Sequence, residues 1–223
     1  MNTLFATLLS LFSGAPAAPV APAPASAPAP AINVVRGIQG FYQSTTDLKA
    51  DFTQTYVYKV YDRRQVSKGK VFFKKPGRMR WDYQTPQARL FVADGATLWV
   101  YEPEEGQVFK RSLAASQLPV ALTFMSGQGR LEDEFDAKLL PAPAAGRLAV
   151  ELVPRKSAAD YQSLRLEVDA RTFAVLRSTV VDPVGNLNTI DFTDVKTNGN
   201  LPDKGFQFSP PAGVKVIDDL GGR

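Results

Sequence analysis

Beyond Gln43 the chain turns almost wholly to an alternation of apolar and polar residues with a period of two. Met79, Trp81 and Tyr83 alternate with Arg78, Arg80 and Asp82. Leu148, Val150 and Leu152 repeat the pattern, as do Leu164, Leu166 and Val168 between Arg165, Glu167 and Asp169. Ile190 and Phe192 stand among Asn188, Asp191, Thr193 and Asp194. Period-two alternation gives each strand one wet and one dry face, the mark of antiparallel sheet. Turn residues divide the pattern at Asp62-Arg63, Lys75-Pro76-Gly77, Thr85-Pro86, Ala93-Asp94-Gly95, Pro103–Gly106, Asp169–Arg171 and Pro183–Asn186. About ten or eleven strands are predicted, enough for a sandwich or a curved barrel-like sheet.

Two segments break the alternation. Ile32 to Gln43 places apolar residues at 34, 35, 38, 41 and 42, a helical stripe weakened by Gly37 and Gly40. Ser116 to Met125 carries Leu118, Val120, Leu122, Phe124 and Met125 without alternation, and a short helix starting near Pro119 fits it. Each helix has an apolar side that suits the dry face of the sheet.

The first 31 residues hold no charged side chain. Residues 4–12 form an apolar run too short to span a bilayer, followed by small residues with a candidate cleavage site at Ala15-Pro16-Ala17. This reads as a secretory signal over 1–17, although Met1-Asn2-Thr3 lacks the usual Lys or Arg. Residues 18–31 are nearly all Ala and Pro, a semi-rigid polyproline-like linker. One domain over 32–223 follows.

The chain contains no Cys and no His. That excludes disulfides, thiol nucleophiles, Ser-His-Asp arrangements and the commonest zinc ligand. The acidic groups Glu102/Glu104/Glu105 and Glu132/Asp133/Glu134/Asp136 lie at turns without an aromatic sugar platform, so an enzyme is not expected, nor a cofactor or metal. The net charge of +4 fits ordinary solubility. Six cations between Lys68 and Arg80 read either as a solvated face or as a docking rim for an acidic partner or anionic head groups.

Several motifs occur in a consistent order. Asp51-Phe52-Thr53-Gln54 is followed by Gly69 to Pro76 (GKVFFKKP), Arg80-Trp81-Asp82-Tyr83 and Ala93 to Pro103 (ADGATLWVYEP). The series closes with Asn188 to Val195 and Phe206 to Val214. In this order the chain resembles the outer-membrane lipoprotein carrier family, LolA, from about Ile32 to Ile217. The resemblance implies a mainly β (α+β) fold: a curved, incompletely closed antiparallel β-barrel of about 11 strands with a helical lid. It also implies a periplasmic chaperone that takes triacylated lipoproteins from an inner-membrane ABC transporter to an outer-membrane receptor. Neither nucleic acid nor a second copy of the chain has a part in that task. A related exported lipid-binding, sensor or structural domain is the alternative. A Cys-anchored receptor would need a cysteine after its signal, and the sequence given has none.

On this reading Phe52, Phe72, Met79, Trp81, Phe91, Trp99, Leu122, Phe124 and Met125 line an acyl-chain hollow, where an ordinary core is the plain alternative. Three chains of about fifteen methylenes would release on the order of 35 kcal/mol if fully enclosed, so enclosure must be partial. Lys75 stands before Pro76, where the family usually carries an Arg that bonds the lid backbone. By parity with Val71 and Phe73 it faces inward as a latch; the alternative is a solvated turn lysine.

Overall fold

The computed structural model describes residues 30–113, 129–156 and 161–219. The signal and linker expectations, and the helix expected near Pro119, lie outside these residues.

Helix α1 spans Ala31–Ser44, with Val34, Val35, Ile38 and Tyr42 buried along one stripe. It ends at Thr45, which turns to extended backbone. The Ser44 and Thr45 hydroxyls both donate to the Phe41 carbonyl, at 2.9 and 2.8 Å, satisfying an acceptor that the helix end would leave free.

Six strands then follow as a meander: β1 Asp47–Tyr58, β2 Arg63–Lys74, β3 Arg78–Thr85, β4 Arg89–Asp94, β5 Thr97–Glu102 and β6 Gln107–Ser112. A one-turn helix α2, Leu131–Glu134, leads into a second meander. Its strands are β7 Phe135–Leu140, β8 Arg147–Pro154, β9 Ser163–Asp169, β10 Val175–Val181 and β11 Leu187–Thr197. A 3-10 turn at Asp203–Phe206 precedes β12, Lys215–Asp219. The strands form one open sheet in the order β12-β6-β5-β4-β3-β2-β1-β11-β10-β9-β8-β7. The two meanders meet where β1 pairs with β11. Each turn predicted from the sequence falls in a strand connection. The strand count differs from expectation by β12, which pairs with β6 in parallel, the single parallel pairing among the described residues.

One face of the sheet, here the inner face, packs against α1. Val34, Val35, Ile38 and Tyr42 join Leu48, Phe52, Val71, Phe73, Met79 and Trp81 from the first meander. Val150, Leu152, Leu164 and Leu166 from the second complete one continuous core. The outer face of β2–β6 is crossed by the segment between β11 and β12. Lys74 Nζ donates to the Leu201 carbonyl at 2.6 Å, and Asp203 pairs with Lys74 and Arg78 at 2.5 and 2.7 Å. Phe206 is buried, and the Phe208 ring packs on Trp99 and Tyr101. This strap makes both faces of the first meander dry. Its start is pinned by the buried Asp47 carboxylate, which accepts from the Gly199 and Asn200 amides at 2.9 and 3.0 Å.

Gly37 lets α1 sit close to the β9–β10 turn. A Cβ there would overlap the Phe173 ring, whereas one at Gly40 would meet nothing within 4 Å. Gly40→Ala is expected to stabilise the fold by about 0.5–1 kcal/mol through helix propensity. Gly37→Ala should instead destabilise it by about 1–2 kcal/mol, because overpacking outweighs that gain. Urea unfolding of both variants, with Gly37→Ala repeated in a Phe173→Ala background where it should become stabilising, checks the contact. Equal stabilisation by both glycine replacements would refute it.

Candidate functional site

Cross-strand register sorts the inner face of β1–β5 into rows. The first row runs Leu48–Phe73–Met79–Ala93–Leu98 and the second Ala50–Val71–Trp81–Phe91–Val100. The third, Phe52–Gly69–Tyr83–Arg89, mixes apolar and polar groups. Beyond it lie Gln54 opposite Ser67 and Tyr56 opposite Gln65. The inner face therefore grades from hydrocarbon to amides and hydroxyls along the strand direction.

Of the residues singled out from the sequence, Phe52, Met79, Trp81 and Phe91 share this face. The Phe52 ring lies 4.8 Å from Trp81 and 4.9 Å from Tyr83, and Tyr83 lies 5.7 Å from Phe91. Phe73 and Phe192 close the aromatic group around Trp81, at 6.0 and 6.3 Å. Phe72 and Trp99 do not join them. Phe72 pairs in register with Lys49 and Arg80 on the outer face. Trp99 pairs with Val92 and Lys110 there, beneath Phe208 and with the Lys110 ammonium 5.5 Å from its ring centre. Leu122, Phe124 and Met125 lie outside the described residues. Sequence reasoning passed over Tyr42 and Phe192, although the helical stripe and the β11 alternation carry them. It also passed over the polar rows.

Among the described residues the α1 stripe and the inner face of the sheet join in one buried cluster, with α1 lying against β7 and β8. An open cavity of about 300 Å³ lies at the polar end of β1–β4, lined by Gln54, Tyr56, Ser67, Tyr83, Arg89 and Phe91 among others. Burial pushes the Tyr83 hydroxyl up to about 12, with Arg89 opposing, and burial likewise raises Tyr42, so both phenols are neutral at physiological pH. Gln54 Nε2 donates to Asn188 Oδ1 at 2.9 Å, and Arg89 pairs with Glu102 at 2.8 Å. Beyond the cavity, the β1–β2 and β10–β11 turns touch through Lys59 N and Asn186 Oδ1 at 2.9 Å. They carry the three most exposed large apolar side chains among the described residues: Val60 (74 %), Tyr61 (79 %) and Val184 (65 %).

Two buried side-chain groups among the described residues have no hydrogen-bond partner, the Trp81 indole nitrogen and the Ser178 hydroxyl. Both face inward, since Ser178 stands in register with Leu166 and Ile190. A buried unpaired donor costs about 1–3 kcal/mol.

Lys75 faces α1. Its Nζ donates to the Tyr42 and Gln43 carbonyls at 2.6 and 2.9 Å. A cation at a helix C-terminus also meets the negative end of the helix dipole. Partial burial lowers the Lys75 pKa. Along its middle α1 is held by Arg36 to Glu132 at 3.1 Å and by Gln39, whose Oε1 accepts from the Leu131 amide at 3.1 Å. Of the other cations between 68 and 80, Lys70 pairs with Asp51, Lys74 and Arg78 with Asp203, and Arg80 with Asp82. These four are matched by carboxylates, which leaves little of a docking rim. No cluster of three His, Cys, Asp or Glu side chains suited to a metal ion occurs among the described residues.

Residues 43–209 match the family model described as outer membrane lipoprotein carrier protein LolA. An outer-membrane lipoprotein carrier protein of Methylococcus capsulatus is 31% identical over 182 residues, covering 82% of this chain and 86% of the relative. One from Chromobacterium violaceum is 31% identical over 186 residues, covering 83% and 87%. In fold, the chain is similar to a conserved protein from Thermus thermophilus with a TM-score of 0.53 at 14% identity, over 84% of this chain and 98% of that one. With three quarters of its length in the family model and relatives matching nearly end to end, the chain belongs to the outer membrane lipoprotein carrier protein LolA family.

Proposed function

We propose that this chain is a periplasmic carrier that shelters the acyl chains of lipoproteins against the inner face of its sheet, in the place that α1 occupies in this structure. The chain receives its cargo from an inner-membrane ABC transporter and yields it to an outer-membrane receptor, acting as a monomer after its export signal is removed. No bond is made or broken in this task, so no catalytic residue is assigned. Membership of the family and the carrier names of the relatives support the reading. The observation that carries it is the packing of α1: an apolar stripe laid on an open sheet and pinned at its edges by a few polar contacts.

The energetics suit reversible exchange. Burying Val34, Val35, Ile38 and Tyr42 is worth about 1.5–3 kcal/mol each, or about 6–12 kcal/mol together. One acyl chain of about fifteen methylenes releases roughly 12 kcal/mol on full burial. The lid therefore competes on nearly equal terms with a single fully buried chain, or with three chains enclosed only in part. Phe52, Met79, Trp81 and Phe91 are assigned to the acyl site, and Phe72 and Trp99 to packing under the strap. The graded rows orient the ligand, tails toward Lys75 and α1, head toward the open cavity and the exposed Val60–Tyr61 turn.

Lys75 is assigned as the latch. Lys75→Leu removes two charge-assisted hydrogen bonds that are partly screened by solvent, a loss of about 1–2 kcal/mol. Hydrogen exchange of the α1 amides is expected to rise about 5–30-fold while the β1, β2 and β11 amides keep their protection. An unchanged α1 would remove Lys75 from this role.

The carrier reading is tested by recovering the protein from the periplasm of cells exporting lipoproteins and analysing by mass spectrometry what comes with it. Acylated N-terminal lipoprotein peptides are expected in stoichiometric amount with wild type. Recovery of the chain without any acylated protein, under conditions where the transporter is active, would refute the reading.

A further inference from the structure

The rows of the inner face change character at one level, and an unpaired donor lies at that level. Trp81 is 3 % exposed and sits in the last apolar row, between Val71 and Phe91. Toward α1 the next residue on its face is Met79. In the other direction it is Tyr83, which lines the open cavity. Its ring packs against Phe52, Phe73, Phe192 and Tyr83, and its indole N–H has no hydrogen-bond partner. Ser178, 3 % exposed on the same face of the second meander but in the row of Ile190 and Gln54, is the other buried group without a partner among the described residues. Buried polar groups in folded proteins are nearly always paired, and an exception in a binding surface points to a partner that arrives with the ligand.

An acylated molecule has its own polarity step. Its methylenes end at an ester or amide carbonyl, whose oxygen accepts hydrogen bonds and donates none. Resting on the carrier reading, we propose that the Trp81 indole N–H binds the carbonyl oxygen at the head of an acyl chain. The site thereby selects ester- or amide-linked acyl groups over plain alkyl chains. The carbonyl lies at the row of Trp81, the tail extends along Phe73 and Met79 toward α1, and the head group lies among Gln54, Tyr56 and Ser67. A donor fixed at this level also sets how far the tail enters, so that the polar linkage is not dragged into hydrocarbon.

The test uses a dipalmitoyl-glyceryl-cysteine peptide and its dialkyl ether analogue, which keeps the chains and lacks the ester carbonyls. Both compete against a fluorescent acyl probe on the mature protein. Wild type should prefer the ester by about tenfold, the equivalent of one neutral hydrogen bond. Trp81→Phe should lose the preference and bind the ester and the ether alike, whatever its affinity for the pair. No preference in wild type, or a preference retained in Trp81→Phe, overturns the assignment. If neither ligand binds, the carrier reading falls with it. If a diacyl phospholipid alone shows the ester-dependent affinity, the carbonyl site stands and lipoprotein cargo does not.

A second readout needs no variant at Trp81. The Trp81 indole N–H resonance, assigned with Trp99→Phe, should move downfield with the ester ligand and not with the ether. Equal shifts with the two ligands overturn the proposal.

Discussion

The structure depends on how the inner face of an open sheet is kept dry. A barrel that closed on itself would have no such requirement. Here β12 and β7 remain edges, and the strands between them present a broad apolar surface. Water against that surface would be unfavourable by roughly 25 cal/mol per Å² of apolar area, so something apolar must cover it. In this structure α1 supplies part of that cover, lying against β7 and β8, and its stripe of Val34, Val35, Ile38 and Tyr42 shares one buried cluster with residues of both meanders. A hydrocarbon tail satisfies the same requirement. That equivalence lets one surface hold either cover without a dedicated, permanently hollow cavity.

The outer face is treated differently, and the contrast assigns rigidity and mobility. The strap after β11 is held by the Asp47 carboxylate, by Lys74 and Arg78 on Asp203, and by Phe206 and Phe208 in the hydrophobic layer over β3–β5. Its far end enters the sheet as β12. Many independent anchors spread over one face make that layer hard to detach. The lid has a buried stripe but few polar anchors, at Lys75, Arg36, Gln39 and the Tyr42 hydroxyl on the Val175 backbone. Segments with fewer anchors open at lower free energy, so the inner cover moves before the outer one does.

Much of this could be read from residue order. The alternation in β3, β8, β9 and β11 and the turn residues between them placed nearly the whole sheet, and the stripe from Val34 to Tyr42 placed α1. The misassigned residues have a common physical cause. Parity works when one face is wet, and the strap makes the outer face of the first meander dry. In Phe72-Phe73 two rings in succession cannot both point inward, and only the register with Lys49 and Arg80 puts Phe72 outside. Trp99 follows Leu98 in the same way, one residue serving the core and the next the strap. Strand β12 was missed because five residues beside a Pro-rich loop carry no alternation of their own and acquire strand geometry only by pairing with β6. Residue order also leaves the hollow itself open. Apolar residues on both lid and sheet are equally consistent with a cavity and with a filled interior, and only their mutual fit separates the two.

The position of the hinge follows from where the anchors begin. The Thr46 amide donates to Asn198 Oδ1 at 2.7 Å, and the Asp47 carboxylate holds two amides of the strap. From Thr46 onward the backbone is thus fastened to the rigid layer and to β2 and β11. Up to Ser44 it is a continuous helix whose last carbonyls are satisfied by the Ser44 and Thr45 hydroxyls and by Lys75. Thr45 alone lies between the two regimes. Rotation about its backbone dihedrals would lift α1 as a unit, releasing Lys75 and Tyr42 near the hinge and Arg36 and Gln39 along the middle of the helix, without breaking a strand-to-strand hydrogen bond of the sheet. The lid can therefore open for the loss of its packing and its few pins, a sum that incoming hydrocarbon offsets, while every strand pairing that shapes the binding surface remains intact.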